Sequence, residues 1–159
     1  MSEVLELKDT NAFELKLKRV VVAVDLSSHS PKTIAYAAAF AKSFGASLTL
    51  VHVFAQERIT EFSNQVVHEG YEGAKRAAER ELNKLADNIS KDYPDCSTEF
   101  RVGDPAEEVI LFASDVEADL IVTASHHSGF LSRMFGVEQA PRILHRALCP
   151  VLVYHERKE

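Results

Sequence analysis

Blocks of apolar residues alternate along the chain with amphipathic segments, a pattern that predicts strands and helices in turn. Several of the short blocks are almost entirely β-branched or aliphatic, which is typical of strands covered on both faces of a parallel sheet. The predicted strands span residues 19–25, 47–53, 97–102, 119–124 and 151–154. The third is the most polar of the five, so we expect it at an edge of the sheet.

Apolar residues at helical spacing fill the segments between these strands. Ser30 is the predicted N-cap of the first helix, with Pro31 in the first helical position and Gly45 at the helix end. The second and longest helix carries an apolar stripe over 67–89, and Asp104 is the predicted cap of the third. The last helix is short, and its predicted inner face consists of Ala140, Ile143, Leu144 and Ala147.

Strands joined by helical crossovers form a parallel sheet, because such crossovers are right-handed. We therefore predict an α/β fold: a five-stranded parallel sheet of order 3-2-1-4-5 with helices on both faces. Ligands of such sheets bind beyond the carboxyl ends of the strands where the strand order reverses, here between strands one and four. The residues predicted to border this switch point are Asp25, Leu26, Ser27, Ala124, Ser125, His126 and His127.

The composition fits one globular domain of 159 residues, with 46% hydrophobic residues. A net charge of −6 disfavours a general nucleic-acid binder. Two cysteines make no disulfide framework, and neither a membrane span nor a signal peptide is visible, so we expect a cytoplasmic protein without membrane partners. The expected organisation is an N-terminal extension over 1–17, a domain over 18–155 and a polar tail over 156–159.

Five segments in order resemble the universal stress protein family: RVVVAVDLSSHS, SLTLVHV, GDPAEEVI, DLIVTASHH and RILHRALCPVLVY. The resemblance covers about 18–155 and implies a flavodoxin-like sheet, similar to the adenine nucleotide alpha hydrolases. It also implies a homodimer in which the fifth strands pair antiparallel through Val151, Leu152, Val153 and Tyr154. An apolar strand at a sheet margin needs such cover, although the N-terminal extension or a neighbouring helix is the alternative.

One branch of this family binds ATP through a Gly-x2-Gly-x9-Gly-Ser loop, whose glycines let the backbone approach phosphates. In this chain the four positions hold Ala124, His127, Val137 and Glu138, and none matches. Glu138 falls where the last phosphates would rest. A carboxylate about 4 Å from a phosphate charge costs roughly 4 kcal/mol at an effective dielectric of 20. The resemblance therefore implies poor ATP binding and the branch that does not bind nucleotides.

A smaller adenine ligand such as AMP needs less of this loop and stays the alternative cofactor. The resemblance implies base and ribose contacts from Asp25, Ser27 and Val53. It implies phosphate contacts near Ser125 and His126. The loop continues with further hydrogen-bonding and flexible positions at His127, Ser128 and Gly129.

Asp25 has two interpretations: it is either a site residue or a hydrogen-bond acceptor that holds the following turn. The pair His126-His127 lacks the spacing of a metal site with His145, Cys149 or His155, so we predict no metal. Asp25, Ser125 and His126 lack a nucleophile-elbow setting, so we predict no catalytic residues. Cys149 is expected to pack in the core.

Three functional hypotheses follow. The first is a non-enzymatic dimeric domain that acts in the stress response through contacts with unidentified protein partners. The second is an adenine-nucleotide sensor at the switch point, and the third is a weak nucleotide hydrolase, which the missing nucleophile setting disfavours. Residues 1–17 either pack on the sheet through Phe13, Leu15 and Leu17 or serve as an arm that binds partners.

Overall fold

A computed structural model describes residues 14–55, 65–125 and 139–156 of the chain. Strands and helices alternate throughout these ranges, as the sequence predicts. The elements are β1 Arg19–Ala23, α1 Ser30–Phe44, β2 Ser47–Ala55, α2 Gln65–Ser90, β3 Cys96–Gly103, α3 Pro105–Asp115, β4 Leu120–Ser125, α4 Gln139–Arg146 and β5 Val151–His155.

The five strands form a parallel sheet of order β3-β2-β1-β4-β5, which confirms the predicted topology. β1 lies at the centre, where Val22 is in register with Leu50 of β2 and Val122 of β4. β1 ends at Ala23, two residues before its predicted end, although the Val24 amide still donates to the Val51 carbonyl at 2.8 Å. The polar β3 takes an edge position, as its composition indicates.

A hydrophobic core lies on each face of the sheet, so the predicted placement of helices on both faces is confirmed. On one face, Val22 and Leu50 pack with Ile34 of α1 and Leu82 of α2. On the other face, side chains of β1, β2 and β4 pack with α3 and with Ile143 of α4. The two loops that leave β1 and β4 therefore lead to helices on opposite faces, which opens a crevice between them.

The starts of two helices differ in how they are capped. Asp104 caps α3 as predicted, since its Oδ1 accepts a hydrogen bond from the Glu107 amide at 3.0 Å. The prediction for Ser30 is wrong: His29 occupies the cap of α1 without a side-chain hydrogen bond. Ser30 is instead the first helical residue, and its hydroxyl turns back to Asp25. Gly45 ends α1 at φ 64°, as expected for a left-handed cap.

Some residues predicted to lie inward are exposed. Leu144 is 49% exposed, because the eight-residue α4 packs mainly through Ile143. Cys149 is only half-buried, although it does pack against the second core. In the N-terminal extension, Leu17 is buried in the first core and Leu15 is exposed, while Phe13 lies outside the described residues.

Candidate functional site

The switch point brings the end of β1 next to the end of β4. Asp25, Ser30 and Ala124 line one small cavity there, of about 10 Å³. A cavity of that size holds about one water molecule. Of the predicted site residues, Asp25 and Ala124 line this cavity, and Ser27 joins them through the hydrogen bond that its amide donates to Asp25. Ser125 follows Ala124 at the end of β4, whereas His126, His127, Ser128 and Gly129 lie outside the described residues.

Asp25 organises the turn between β1 and α1. Its Oδ1 accepts hydrogen bonds from the Ser27 amide at 3.0 Å and from the Ser30 hydroxyl at 2.8 Å. Leu26, which lies between Asp25 and Ser27, has φ 59°, a left-handed conformation that few residues with a β-carbon adopt. The turn-holding interpretation of Asp25 is therefore confirmed, and it fixes the carboxylate at the mouth of the crevice.

His52 of β2 is a residue of this region that the sequence reasoning missed. Its Nδ1 lies 2.7 Å from the Val24 carbonyl, and its ring lies 5.7 Å from the Phe100 ring. Burial lowers the pKa of His52, against the opposing effects of the Val24 carbonyl and the nearby Asp25. The available signal was a histidine near the end of the predicted strand SLTLVHV, between two valines.

The other two described candidates differ in their surroundings. The Val53 side chain is buried in the second core, two residues before the end of β2. Ser125 is half-buried and in register with His155 of β5. Its strand position places it at the start of the loop that leads to α4.

A charged cluster ties the end of β5 to the start of α1. His29 and Lys32 each contact one carboxylate oxygen of Glu156, the residue that follows β5. Hydrogen bonds from Lys32 and then His29 hold the pKa of Glu156 below its ordinary value. Because β4 lies between β1 and β5, this cluster spans the α1 side of the β4 end.

Two ion pairs join α3 to α4 on the opposite side of the crevice. Arg142 contacts Asp104 at 2.8 Å, and Arg146 contacts Glu107 at 3.0 Å. The Arg142 guanidinium holds the pKa of Asp104 below its ordinary value, helped by backbone amides at the start of α3. The pairs fix the middle and the end of α4 against the start of α3.

Within residues 14–55, 65–125 and 139–156, no group of three or more histidine, cysteine, aspartate or glutamate side chains is arranged to hold a metal ion. The same part of the chain contains no helix that is both long and apolar enough to span a membrane. The described residues thus offer hydrogen-bonding groups at the switch point.

Comparisons with known proteins agree with this geometry. The model of the universal stress protein family matches residues 16–155. A universal stress protein of Thermus aquaticus is 30% identical over 137 residues, which cover 86% of this chain and 97% of that protein.

Two solved structures share the fold at lower identity. The universal stress protein UspA from Lactobacillus plantarum has a TM-score of 0.75 at 21% identity, over 88% of this chain and 99% of that one. A universal stress protein in complex with cAMP has a TM-score of 0.65 at 22% identity, over 90% of this chain and 100% of that one. The fold is thus the flavodoxin-like fold expected from the sequence.

Proposed function

This chain belongs to the universal stress protein family, and we propose that it is a non-enzymatic homodimeric domain of the stress response that acts through protein contacts. The observation that carries the proposal is the position of β5. This strand stands at the margin of the sheet and consists of VLVYH, with its first four residues half-buried. Antiparallel pairing with β5 of a second copy would cover it.

The hydrogen-bond direction of β5 supports this pairing. The Ile121 amide donates to the Pro150 carbonyl at 3.0 Å, which sets the alternation of the β4–β5 ladder. In that alternation Leu152 and Tyr154 turn their backbone groups toward β4, while Val153 turns its amide and carbonyl away from the sheet. The outward groups of Val153 would pair with a second copy.

The test is sedimentation velocity of the wild type, Val153→Pro and Val102→Pro. Proline removes one outward amide and is tolerated on an edge strand. By the same alternation Val102 turns its amide outward on β3, the opposite edge, because the Leu48 amide donates to Asp95 at 2.9 Å. We expect a dimeric wild type, a monomeric Val153→Pro and a dimeric Val102→Pro. A monomeric wild type, or a folded Val153→Pro that stays dimeric, would contradict the proposal.

We also propose a non-catalytic role and a cytoplasmic location. Asp25 uses its Oδ1 to hold the β1–α1 turn through Ser27 and Ser30, which is a structural role rather than the orienting of a catalytic histidine. Cys96 and Cys149 are free thiols, and burial raises the pKa of both. Protonated, half-buried thiols suit a reducing compartment. We expect the protein to release phosphate from ATP no faster than buffer alone does.

A second candidate function is binding of an adenosine monophosphate at the switch point. It is favoured by the fixed Asp25 carboxylate beside the β1–β4 crevice, and a protein of the same fold is solved with cAMP. The four glycine and serine positions of the ATP loop hold Ala124, His127, Val137 and Glu138. We therefore expect the monophosphate to bind better than ATP.

Titration calorimetry with AMP, cAMP and ATP, with and without magnesium, tests this function. Asp25→Asn keeps an acceptor for the turn and removes the charge, and it should weaken monophosphate binding about tenfold. Ser43→Ala is the matched control, because the Ser43 hydroxyl donates to the Ala39 carbonyl at 3.0 Å near the far end of α1, away from the switch point. Silence for every nucleotide, or ATP binding tighter than AMP binding, would contradict this candidate.

A further inference from the structure

We infer that His52 is a positioning residue for the switch point: its ring holds the Val24–Asp25 peptide in the orientation that presents the Asp25 carboxylate. The inference rests on the second candidate function, in which that carboxylate contacts a ligand. It deepens that function by adding a residue from β2, a strand that lies beside the switch point rather than at it.

The Val24 carbonyl stands where β1 leaves the sheet. The ladder of β1 with β4 runs from Val20 to Val22, and that with β2 runs to Ala23. Val24 is 6% exposed, so its carbonyl lies where an unpaired acceptor is costly. His52 supplies the donor at 2.7 Å. Because a carbonyl only accepts, Nδ1 of His52 must carry the hydrogen, and Nε2 of the neutral ring is left as an acceptor.

The ring that makes this bond is itself held in place. His52 lies on the nine-residue β2, which pairs with both β1 and β3. Its ring packs on Phe100 of β3 at 5.7 Å and an interplanar angle of 43°. A donor projected from a strand inside the sheet is positioned more accurately than one on a loop.

The bond reaches Asp25 through one rigid unit. The Val24 carbonyl and the Asp25 amide belong to the same planar peptide, so fixing the carbonyl fixes the direction in which the chain enters Asp25. The carboxylate then holds the start of α1 through the Ser27 amide and the Ser30 hydroxyl. His52 therefore connects β2 to the N-terminus of α1 through the residue expected to contact the ligand.

Three substitutions separate the hydrogen bond from packing. His52→Asn places an amide nitrogen near the position of Nδ1 and can keep the bond. His52→Gln reaches the position of Nε2 instead, and His52→Phe keeps a ring against Phe100 without a donor. Only the asparagine variant should preserve the orientation of the Val24–Asp25 peptide.

The experiment is NMR spectroscopy of the labelled full chain, followed by AMP titration of each variant. We expect the wild-type ring nitrogens to report the tautomer with hydrogen on Nδ1. The amide signals of Asp25, Leu26 and Ser27 should shift in His52→Phe and His52→Gln and return toward wild type in His52→Asn. AMP affinity should fall about tenfold in the first two variants and stay within about threefold in the third.

Hydrogen on Nε2, or unchanged Asp25–Ser27 signals in folded His52→Phe, would overturn the inference. So would equal disturbance in all three variants, because that result indicates packing alone. If His52→Phe does not fold, His52→Gln supplies the same comparison. If the wild type binds no AMP, the second candidate function fails, while the tautomer and the amide signals still decide the positioning role.

Discussion

The ring of Tyr154 on β5 packs against the ring of Tyr36 on α1, with 5.1 Å between their centroids. Tyr36 is followed at helical spacing by Phe40 and Phe44, whose rings continue the contact at 6.5 and 5.2 Å. Tyr36 remains 44% exposed and Phe44 38% exposed. The edge strand is thus continuous with an aromatic surface on α1, and pairing of two copies through β5 would bring that surface close to the interface.

We predict a measurable coupling between Tyr36 and Tyr154. Aromatic pairs contribute about 0.5–1.5 kcal/mol beyond the area that they bury. A double-mutant cycle of Tyr36→Ala and Tyr154→Ala, measured by urea unfolding, should return a coupling in that range. The cycle is made in the Val153→Pro background, because that variant is expected to be monomeric. Strict additivity of the two substitutions would show that the ring contact does not stabilise the edge of the sheet.

Two substitutions of Asp104 separate its role as the cap of α3 from its ion pair with Arg142. Asp104→Ala removes both the cap of α3 and the charge, and it should cost about 1 kcal/mol or more. Asp104→Asn keeps a capping oxygen and removes only the half-exposed ion pair, so it should cost less, about 0.2–1 kcal/mol. Urea unfolding at neutral pH compares the two variants, and equal losses would contradict the separate role of the cap.

The pH dependence of the same residue has a definite sign. Arg142 lowers the pKa of Asp104 in the folded chain, so the unfolded chain binds the proton more readily. The stabilisation is therefore present above the ordinary carboxyl pKa of about 4 and is lost as the pH falls through the lowered value. Asp104→Asn cannot titrate at this position, so the part of the stability loss in acid that comes from Asp104 should be absent in this variant.

Much of the fold could be predicted because each strand is a distinct apolar run. The runs over 19–25 and 47–53 match β1 and β2 closely, and the polar third strand indicated its own edge position. Capping was less predictable. Serine at 30 is a good cap by type, but its hydroxyl donates to the Asp25 carboxylate five residues earlier, and cap preference by residue type does not include that contact.

The candidate site was predicted in part for a similar reason. Asp25 and Ser27 follow β1 directly, so topology alone brings them to the switch point. His52 was missed because its role depends on a carbonyl of another strand, 28 residues away along the chain. The exposure of Leu144 was missed because helical spacing shows which residues share a face but not how much of α4 the core can cover.

Two glycines with opposite surroundings give a further prediction. Gly103 has φ 153°, and an added β-carbon would lie 3.0 Å from Cγ of Glu108. Glu108 is held by Arg101 at 3.3 Å, so Gly103→Ala should destabilise the fold by about 1 kcal/mol or more. Gly70 lies inside α2 with open space around it, so Gly70→Ala should stabilise by up to about 1 kcal/mol. Thermal unfolding of both variants tests the contrast, and a loss of the same size in both would contradict it.

The lowered pKa of His52 predicts that acid weakens the fold through this one ring. Burial is the main cause of the shift, and the bond to the Val24 carbonyl and the nearby Asp25 carboxylate oppose it only in part. Between the lowered folded pKa and the ordinary value of about 6.5, the unfolded chain therefore binds more protons than the folded chain. Stability should rise with pH across that window, by at most about 1.4 kcal/mol per pH unit for one proton, and should fall as the pH drops below about 6.5.

Urea unfolding of the wild type and of His52→Asn between pH 4.5 and 8 measures this contribution of His52. The other histidines are common to both proteins, so their effects cancel in the difference. Parallel curves would show that His52 titrates alike in both states. A wild type that gains stability relative to His52→Asn in acid would mean that the Val24 carbonyl and Asp25 together outweigh burial.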